Sequence, residues 1–224
     1  MLRYRPYYWR HLPHCQPPGA TLFIAFRLAG SLPRTVIEEL LAQQHQAARA
    51  LEQIPDADER MRQTYLESRR AFARWDEELT ADQGPRWLAI PNVANLVAHS
   101  LHYRDDQVYR LDAFCIMPNR IHLVCAPLQM ANGEYHALSS ILHSLKRYTA
   151  REANKLLKRR GAFWQQESYD HVVRDESEFR RIVRYVMYNP VKAGLAAAWE
   201  EWPQTYVAAM GGGWAAASRS STWA

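Results

Sequence analysis

The chain has 224 residues, 48% of them hydrophobic, which is enough to bury the core of one globular domain. Its formal net charge is +5 and its sequence pI is about 9.2, a balance that favours an acidic partner such as nucleic acid. The three cysteines form no Cys-x-x-Cys pair, which argues against a structural zinc site or a disulfide framework.

Two further features concern the cellular compartment. The chain opens on a charged, aromatic segment that does not have the pattern of a signal peptide. No apolar run approaches the roughly 20 residues that are needed to cross a bilayer. We therefore expect a cytoplasmic protein with no membrane partner.

The first half of the chain predicts one strand followed by helices. Residues 3–14 are basic, aromatic and broken by prolines, so we expect an irregular arm there. Residues 21–28 are rich in strand formers and predict the first strand. Helix formers dominate from about residue 35 to 80, which predicts a helical insertion of one or two helices, broken near Pro55.

The second half alternates helices and strands. Pro91 fits the first turn of a helix, and residues 107–116 and 121–126 predict two strands joined as a hairpin. Residues 138–158 predict a helix with an apolar stripe, and residues 168–173 a strand. A last helix begins after Asp175 and is expected to stop at Asn189, because Pro190 cannot continue it. This order predicts an α/β fold with an antiparallel sheet and helices packed on a face.

The last helix also carries a possible catalytic group. Tyr185 and Asn189 are one helical turn apart, so both side chains could reach the same point in a cleft. A tyrosine hydroxyl can attack a phosphodiester, and an amide oxygen can ligate a hard cation beside it. The alternative is that Tyr185 is a half-buried aromatic residue and that Asn189 only ends the helix.

Six segments, in order along the chain, resemble segments of the REP-associated tyrosine transposases, which are HUH single-tyrosine transposases. They are residues 9–14, 26–28, 144–154, 163–170, 185–195 and 202–203. The strongest match runs from Tyr185 to Leu195 and reads Tyr-Val-Met-Tyr-Asn-Pro-Val-Lys-Ala-Gly-Leu. The strand that follows Met117-Pro118-Asn119 also resembles the metal-binding strand of this family.

The resemblance implies a single ferredoxin-like HUH domain, here residues 1–206. Three consecutive glycines, Gly211 to Gly213, and a run of small residues predict a disordered tail over residues 207–224. It implies an enzyme that cleaves and rejoins single-stranded DNA at hairpin repeats through a 5′-phosphotyrosine intermediate. By position, Tyr185 would be the nucleophile, and His122 and Asn189 would ligate a divalent metal, Mg²⁺ or Mn²⁺. We expect Tyr185 and His122 to converge, with Asn189 facing the same cleft.

One position departs from the family pattern. Arg120 stands where the first histidine of the His-hydrophobe-His strand belongs, and a guanidinium cannot ligate a metal. Three hypotheses remain open. The protein could be a catalytically impaired, domesticated DNA-binding relic, the guanidinium could clamp the scissile phosphate in place of the metal, or His171 could be a substitute ligand.

A basic helix predicts the DNA contacts. Six cations of the helix after residue 138 are the candidates for phosphate binding, namely Lys146, Arg147, Arg151, Lys155, Lys158 and Arg159. Glu152 is the one acid among them, whereas a solvated face would normally mix charges. Tyr148 in this helix is a rival nucleophile, or could stack on a base. The amino-terminal arm mixes arginines and aromatic residues, which suits single-stranded or hairpin DNA but could equally form a lid over the sheet.

Overall fold

The fold is built on a five-stranded antiparallel sheet. The computed structural model describes residues 7–9, 13–81 and 84–208, with side chains from residue 16 onward. The strands are β1 Tyr7–Trp9, β2 Pro13–Cys15, β3 Leu22–Arg27, β4 Tyr109–Ile116, β5 Arg120–Pro127, β6 Tyr169–Val172 and β7 Thr205–Val207. The helices are α1 Arg34–Glu52, α2 Ala57–Ala81, α3 Pro91–His102, α4 Leu138–Leu156 and α5 Glu176–Lys192. Among the described residues, no helix has both the length and the apolar character needed to span a membrane.

The sheet has the strand order β6-β3-β5-β4-β7, and each neighbouring pair is antiparallel. Strands β4 and β5 form the predicted hairpin, which Met117 N closes by donating to Arg120 O at 2.9 Å. Strand β5 is buried along its whole length, because helices cover both faces of the sheet. The predicted α/β class, with an antiparallel sheet, packed helices and a helical insertion after residues 21–28, is confirmed.

Alternate residues of β3 point to opposite faces of the sheet. Leu22, Ile24 and Phe26 pack with α3 and α4 in one apolar cluster. Phe23 points the other way and packs with α5, which contributes Val183 among other residues. The sheet is therefore covered by α3 and α4 on one face and by α5, with part of α2, on the other.

The helical insertion forms its own small core beside the sheet. Helices α1 and α2 are separated at the predicted break around Pro55. Leu40 of α1 and Leu79 of α2 form a small apolar cluster with Leu32, which lies just before α1. Helix α2 also packs Phe72 against the α5 face of the sheet. The insertion can therefore deliver side chains to the centre of that face.

The predicted end of α5 at Asn189 is wrong, since the helix continues to Lys192 with Pro190 inside its last turn. A proline removes one amide donor and crowds the carbonyl four residues earlier, which costs least near a helix end. The following amides still find partners, because Ala193 N donates to Asn189 O at 3.0 Å and Leu195 N donates to Pro190 O at 2.9 Å.

The amino-terminal arm is not irregular where the structure describes it. Tyr7–Trp9 and Pro13–Cys15 pair as a two-stranded antiparallel ribbon, which fits the strand preference of aromatic residues. Pro13 is the first residue of its strand, where the missing amide donor is tolerated. The predicted tail begins too early, since Val207 ends β7 and Ala208 N donates to Asp112 O at 2.9 Å. The rest of the predicted arm, and residues 209–224 of the predicted tail, lie outside the described residues. The extent of the domain over residues 1–206 stays a prediction.

Candidate active site

Strand β5 places His122 on the α5 side of the sheet. The imidazole is fully buried, and its ring centroid lies 5.8 Å from that of Phe23 and 5.4 Å from that of Tyr185. Its neighbour on β3 is Ala25, a small residue that leaves room for the ring. Arg120 lies two positions earlier on the same strand, so its side chain leaves the strand on the same side.

Helix α5 brings Tyr185 and Asn189 to the same point. The helix starts at a defined residue because the Asp175 side chain accepts a hydrogen bond from Glu178 N at 2.8 Å. Tyr185 is half-buried and Asn189 is buried. The predicted convergence of Tyr185, Asn189 and His122 is therefore confirmed, while their roles in catalysis stay predictions.

The guanidinium of Arg120 occupies the centre of this cluster. Its Nη2 donates to Asn189 Oδ1 at 3.0 Å and to Thr80 Oγ1 at 2.8 Å. Its Nη1 donates to Asn119 Oδ1 at 3.2 Å, and its Nε donates to His122 Nε2 at 3.3 Å. The residue is only 2% exposed, so the guanidinium is held by the protein rather than by solvent.

The residue that completes the site, Asp76, comes from α2 and was not predicted. Its Oδ1 lies 2.6 Å from Arg120 Nε, and its Oδ2 accepts a hydrogen bond of 2.6 Å from the Tyr185 hydroxyl. A signal for it exists in the sequence. Phe72, Asp76 and Leu79 follow helical spacing, so this acid stands on the apolar side of an amphipathic helix, where a charge needs a partner.

The contact between Asp76 and Arg120 is ionic rather than directional. The Nε hydrogen of Arg120 points to His122, and Asp76 Oδ1 receives no well-aimed hydrogen bond from the described residues. His122 Nδ1 likewise has no hydrogen-bond partner among them. Asp76 Oδ1 is therefore stabilised by the charge of Arg120, whereas the unpaired His122 Nδ1 is a cost to stability.

The electrostatics of the site favour a protonated tyrosine. Burial raises the pKa of Tyr185 well above its usual value, and the neighbouring Asp76 carboxylate raises it further. Burial alone would raise the pKa of Asp76, but contacts with His122, Arg120 and Tyr185 together lower it below its usual range. Burial lowers the pKa of His122, which favours the neutral imidazole near pH 7.

Comparisons with known proteins give two curated relatives, and no family model matches the chain. A Haemophilus influenzae protein named "Putative REP-associated tyrosine transposase" is 28% identical over 99 residues, which cover 41% of this chain and 54% of that protein. An uncharacterized protein of the same species is 27% identical over 98 residues, which cover 37% of this chain and 54% of that protein. The chain thus spans about half the length of the curated relatives it matches.

Among solved structures, the chain is similar to one described as "Structure of the REP associates tyrosine transposase bound to a REP hairpin". The identity is 17% and the TM-score is 0.48, over 92% of this chain and 82% of that one.

The chain is similar to the REP-associated tyrosine transposases. The resemblance that six sequence segments indicate is confirmed by the first Haemophilus influenzae relative.

The residues present do not fit the divalent metal that a resemblance to the REP-associated tyrosine transposases implies. Arg120 already donates to His122 Nε2 and Asn189 Oδ1, and its guanidinium forms the ion pair with Asp76. A metal placed among these atoms would lie against a charge of the same sign. Within residues 16–81 and 84–208, no three His, Cys, Asp or Glu side chains are arranged to hold a metal ion.

His171, the suggested substitute ligand, belongs to a second polar cluster on the same face. Its Nε2 lies 3.2 Å from Glu178 Oε1, which also accepts a hydrogen bond from the Tyr65 hydroxyl. Arg174 and Arg181 each approach Glu178 at 3.1 Å. These contacts hold α2 to α5, and they give no support to a role of His171 as a ligand, which stays a prediction.

The basic helix α4 covers the face of the sheet opposite to Tyr185. Lys146 does not extend into solvent, because its Nζ donates to three backbone carbonyls, of Gln165, Gln166 and Glu167, at 3.1–3.3 Å. Arg159 donates to Asn154 Oδ1 at 2.7 Å, and its guanidinium lies 3.7 Å from the centroid of the Trp87 ring. These two predicted DNA contacts therefore have structural partners.

The other predicted cations are exposed to solvent, namely Arg147, Arg151 and Lys155 on α4 and Lys158 in the turn after it. Arg151 and Lys155 share the carboxylate of Glu152 at 2.7 Å and 3.1 Å. Tyr148 is 43% exposed on the same helix and lies on the far side of the sheet from His122. The exposed side of α4, with Arg147, Tyr148, Arg151 and Lys155, is the basic α4 stripe and remains a candidate surface for DNA.

Proposed function

We propose that this chain is a transposase-like protein that binds hairpin-forming single-stranded DNA, and that Tyr185 is the nucleophile for any strand cleavage. The observation that carries the proposal is the meeting of Tyr185, Asn189 and His122 in one buried cluster. The similarity to a protein named as a putative REP-associated tyrosine transposase supports a transposase-like function, and the hairpin substrate is what that resemblance implies. The basic α4 stripe supports binding to phosphates.

The cleavage step would be a transesterification. The Tyr185 oxygen would form a bond to phosphorus, the bond from phosphorus to the 3′-oxygen would break, and the strand would be left with a 3′-hydroxyl and a 5′-phosphotyrosine link. Attack by a 3′-hydroxyl on that link would reverse the step. Asp76 Oδ2 accepts the hydrogen bond of the tyrosine hydroxyl and is the group in position to receive its proton.

Two features of the site would make this cleavage slow. The raised pKa of Tyr185 keeps its hydroxyl protonated, and the lowered pKa of Asp76 makes that carboxylate a weak base. The buried Arg120 also has to leave its contacts with Asp76 before it could meet a phosphate. These observations favour a second candidate function, a hairpin-binding protein in which cleavage is impaired or lost.

The route of the DNA follows from the opposite placement of α4 and Tyr185. A strand bound along α4 would reach Tyr185 only by passing around an edge of the sheet. We expect it to pass the β6 edge, because Lys146 of α4 binds the carbonyls of residues 165–167, just before β6. Strand β2 of the amino-terminal ribbon also packs against β6.

The test is a cleavage assay with a labelled DNA hairpin that carries single-stranded flanks. A covalent band between protein and DNA should form in the native chain and be lost in Tyr185→Phe. Tyr148→Phe, which removes the rival hydroxyl, should keep the band. If neither the native chain nor any variant forms the band but hairpin binding persists, the second candidate function is correct. Absence of preference for the hairpin over duplex DNA would contradict both.

A further inference from the structure

The positive charge at the centre of the Tyr185 site is a side chain of the protein, the Arg120 guanidinium. We propose that the Arg120 guanidinium is a permanent substitute for a divalent cation, and that Asp76, His122 and Asn189 form a cation-binding set around it. This inference goes beyond the proposed function, because it concerns what the site binds whether or not DNA is cleaved.

Three different elements direct a ligand atom toward the guanidinium. Helix α2 contributes Asp76 Oδ1 at 2.6 Å, helix α5 contributes Asn189 Oδ1 at 3.0 Å, and strand β5 contributes His122 Nε2 at 3.3 Å. A carboxylate, an amide oxygen and an imidazole are together suitable donors for a divalent ion such as Mn²⁺. The set has the composition of a metal site, but the charge at its centre is an arginine.

The contacts of Asp76 show that its carboxylate faces a charge. Asp76 is 3% exposed, and its Oδ1 is held by the ion pair with Arg120 without a well-aimed hydrogen bond. An oxygen that is buried without a directional donor depends on a neighbouring positive charge. Removal of the guanidinium would therefore leave an oxygen that a divalent cation can neutralise.

The position of Arg120 explains why a metal and this arginine exclude each other. The guanidinium donates four hydrogen bonds, to His122, Asn119, Thr80 and Asn189, so its place is fixed by the fold. Thr80 and Asp76 are both on α2, and the arginine thereby also fastens the insertion to the sheet. The native site should consequently take no divalent ion, and a shortened side chain at position 120 should uncover one.

The experiment measures Mn²⁺ binding by electron paramagnetic resonance, together with thermal unfolding in Mn²⁺ or EDTA. The native chain should bind no stoichiometric Mn²⁺, and its Tm should be the same in both solutions. Arg120→Ala should bind one Mn²⁺ per chain, at concentrations at least about tenfold below those at which the native chain binds any, and its Tm should rise with Mn²⁺. Asp76→Asn in the same background should remove both effects.

A matched control is Arg110→Ala, which breaks another arginine–aspartate pair of the same sheet, between Arg110 and Asp112 at 2.9 Å. It makes the same change of charge with no imidazole in the ion pair, and it should behave as the native chain does. If Arg120→Ala does not fold by circular dichroism, Arg120→His replaces it, with the same expectation. Stoichiometric Mn²⁺ binding by the native chain, or none by a folded position-120 variant, would overturn the proposal. No DNA is used, so this failure is distinguishable from failure of the proposed function.

Discussion

The two faces of the central sheet bury their helices by different means. On the face covered by α3 and α4, the core is an apolar cluster that includes Leu22, Ile24 and Leu145. On the face covered by α5 and α2, the apolar cluster surrounds buried polar side chains, among them Asp76 and Arg120. Buried apolar groups need no particular partner, whereas each buried polar group must find one. The polar side chains of the α5 face must therefore adopt one specific arrangement, which an apolar core of equal stability would not need.

The largest expected effects on stability come from one substitution on each face, and the two have different physical causes. Asp76→Ala should lower the free energy of unfolding by about 3–5 kcal/mol, because it leaves the Arg120 guanidinium buried and unpaired. Leu145→Ala on the apolar face should cost a similar amount, about 2–5 kcal/mol, through a cavity. Urea denaturation measures both values.

A double substitution separates the two mechanisms. Asp76→Leu combined with Arg120→Met removes both charges and should recover most of the stability, since a buried ion pair is often no more stabilising than apolar residues of similar size. Removing Asp76 or Arg120 should not restore the stability that Leu145→Ala loses, because that loss comes from a cavity. If the double variant remains as unstable as Asp76→Ala, the ion pair itself stabilises the fold and the comparison fails.

The second prediction uses pH to distinguish the faces. Burial alone would raise the pKa of Glu178, but hydrogen bonds from Tyr65 and Arg174 lower it from an ordinary value of 4.5 to about 2. A lowered folded-state pKa gives stability that is complete above pH 4.5 and is lost as the pH falls toward 2. The loss should be on the order of 3 kcal/mol.

The measurement is urea denaturation at several pH values for the native chain and for Glu178→Gln. The substituted chain should be less stable at neutral pH and should lose less on acidification. Leu145→Ala is the control, because it should keep the native dependence on pH at a lower stability. If the two stability curves run parallel below pH 4.5, ionisation of the Glu178 carboxylate does not contribute to the stability of the fold.

How much of these two faces could be predicted depends on the range of the interactions. The apolar face could be predicted, because the apolar stripe of α4 repeats with the helical period of 3.6 and β3 lies in a continuous run of strand formers, and both patterns are local. Tyr185 and Asn189 could also be placed together, because one turn of a helix joins them. Asp76 could not, because it meets Tyr185 across 109 positions of sequence, a contact made by the packing of a whole insertion. The continuation of α5 through Pro190 was missed for a different reason, since a propensity rule holds less strictly in the last turn of a helix.

The third prediction concerns the activity of the polar face. Arg120→His replaces a fixed positive charge with a neutral ligand beside His122, so cleavage in Mg²⁺ or Mn²⁺ should rise about tenfold to a hundredfold. The measurement is the yield of covalent protein–DNA product on the labelled hairpin. Tyr185→Phe in this background must abolish the product, and Arg110→His is the control for adding an imidazole elsewhere on the sheet.

The opposite result would assign a different role to Arg120. If the native chain cleaves well and Arg120→His cleaves less, the arginine acts on the phosphate in place of a metal. The hypothesis that Arg120 impairs catalysis would then be wrong, while the assignment of Tyr185 as the nucleophile would stand.

The smallest expected effect tests whether the outer surface of the apolar face takes part in the same function. Arg151 and Lys155 are exposed on α4, on the far side of the sheet from Tyr185. Reversing both to Glu should weaken hairpin binding about tenfold and lower the slope of log affinity against log salt by about 2, because two phosphate contacts are lost. The effect should be uniform across DNA sequences, since these cations would contact phosphates and not bases.

The matched control reverses Arg34 and Arg62 of the insertion, which are exposed and paired with Glu38 and Glu59 as the α4 cations are with Glu152. Fluorescence anisotropy at several salt concentrations gives both numbers. If the two double variants bind alike, α4 does not contact the DNA, and the binding surface must then lie on the same face as Tyr185.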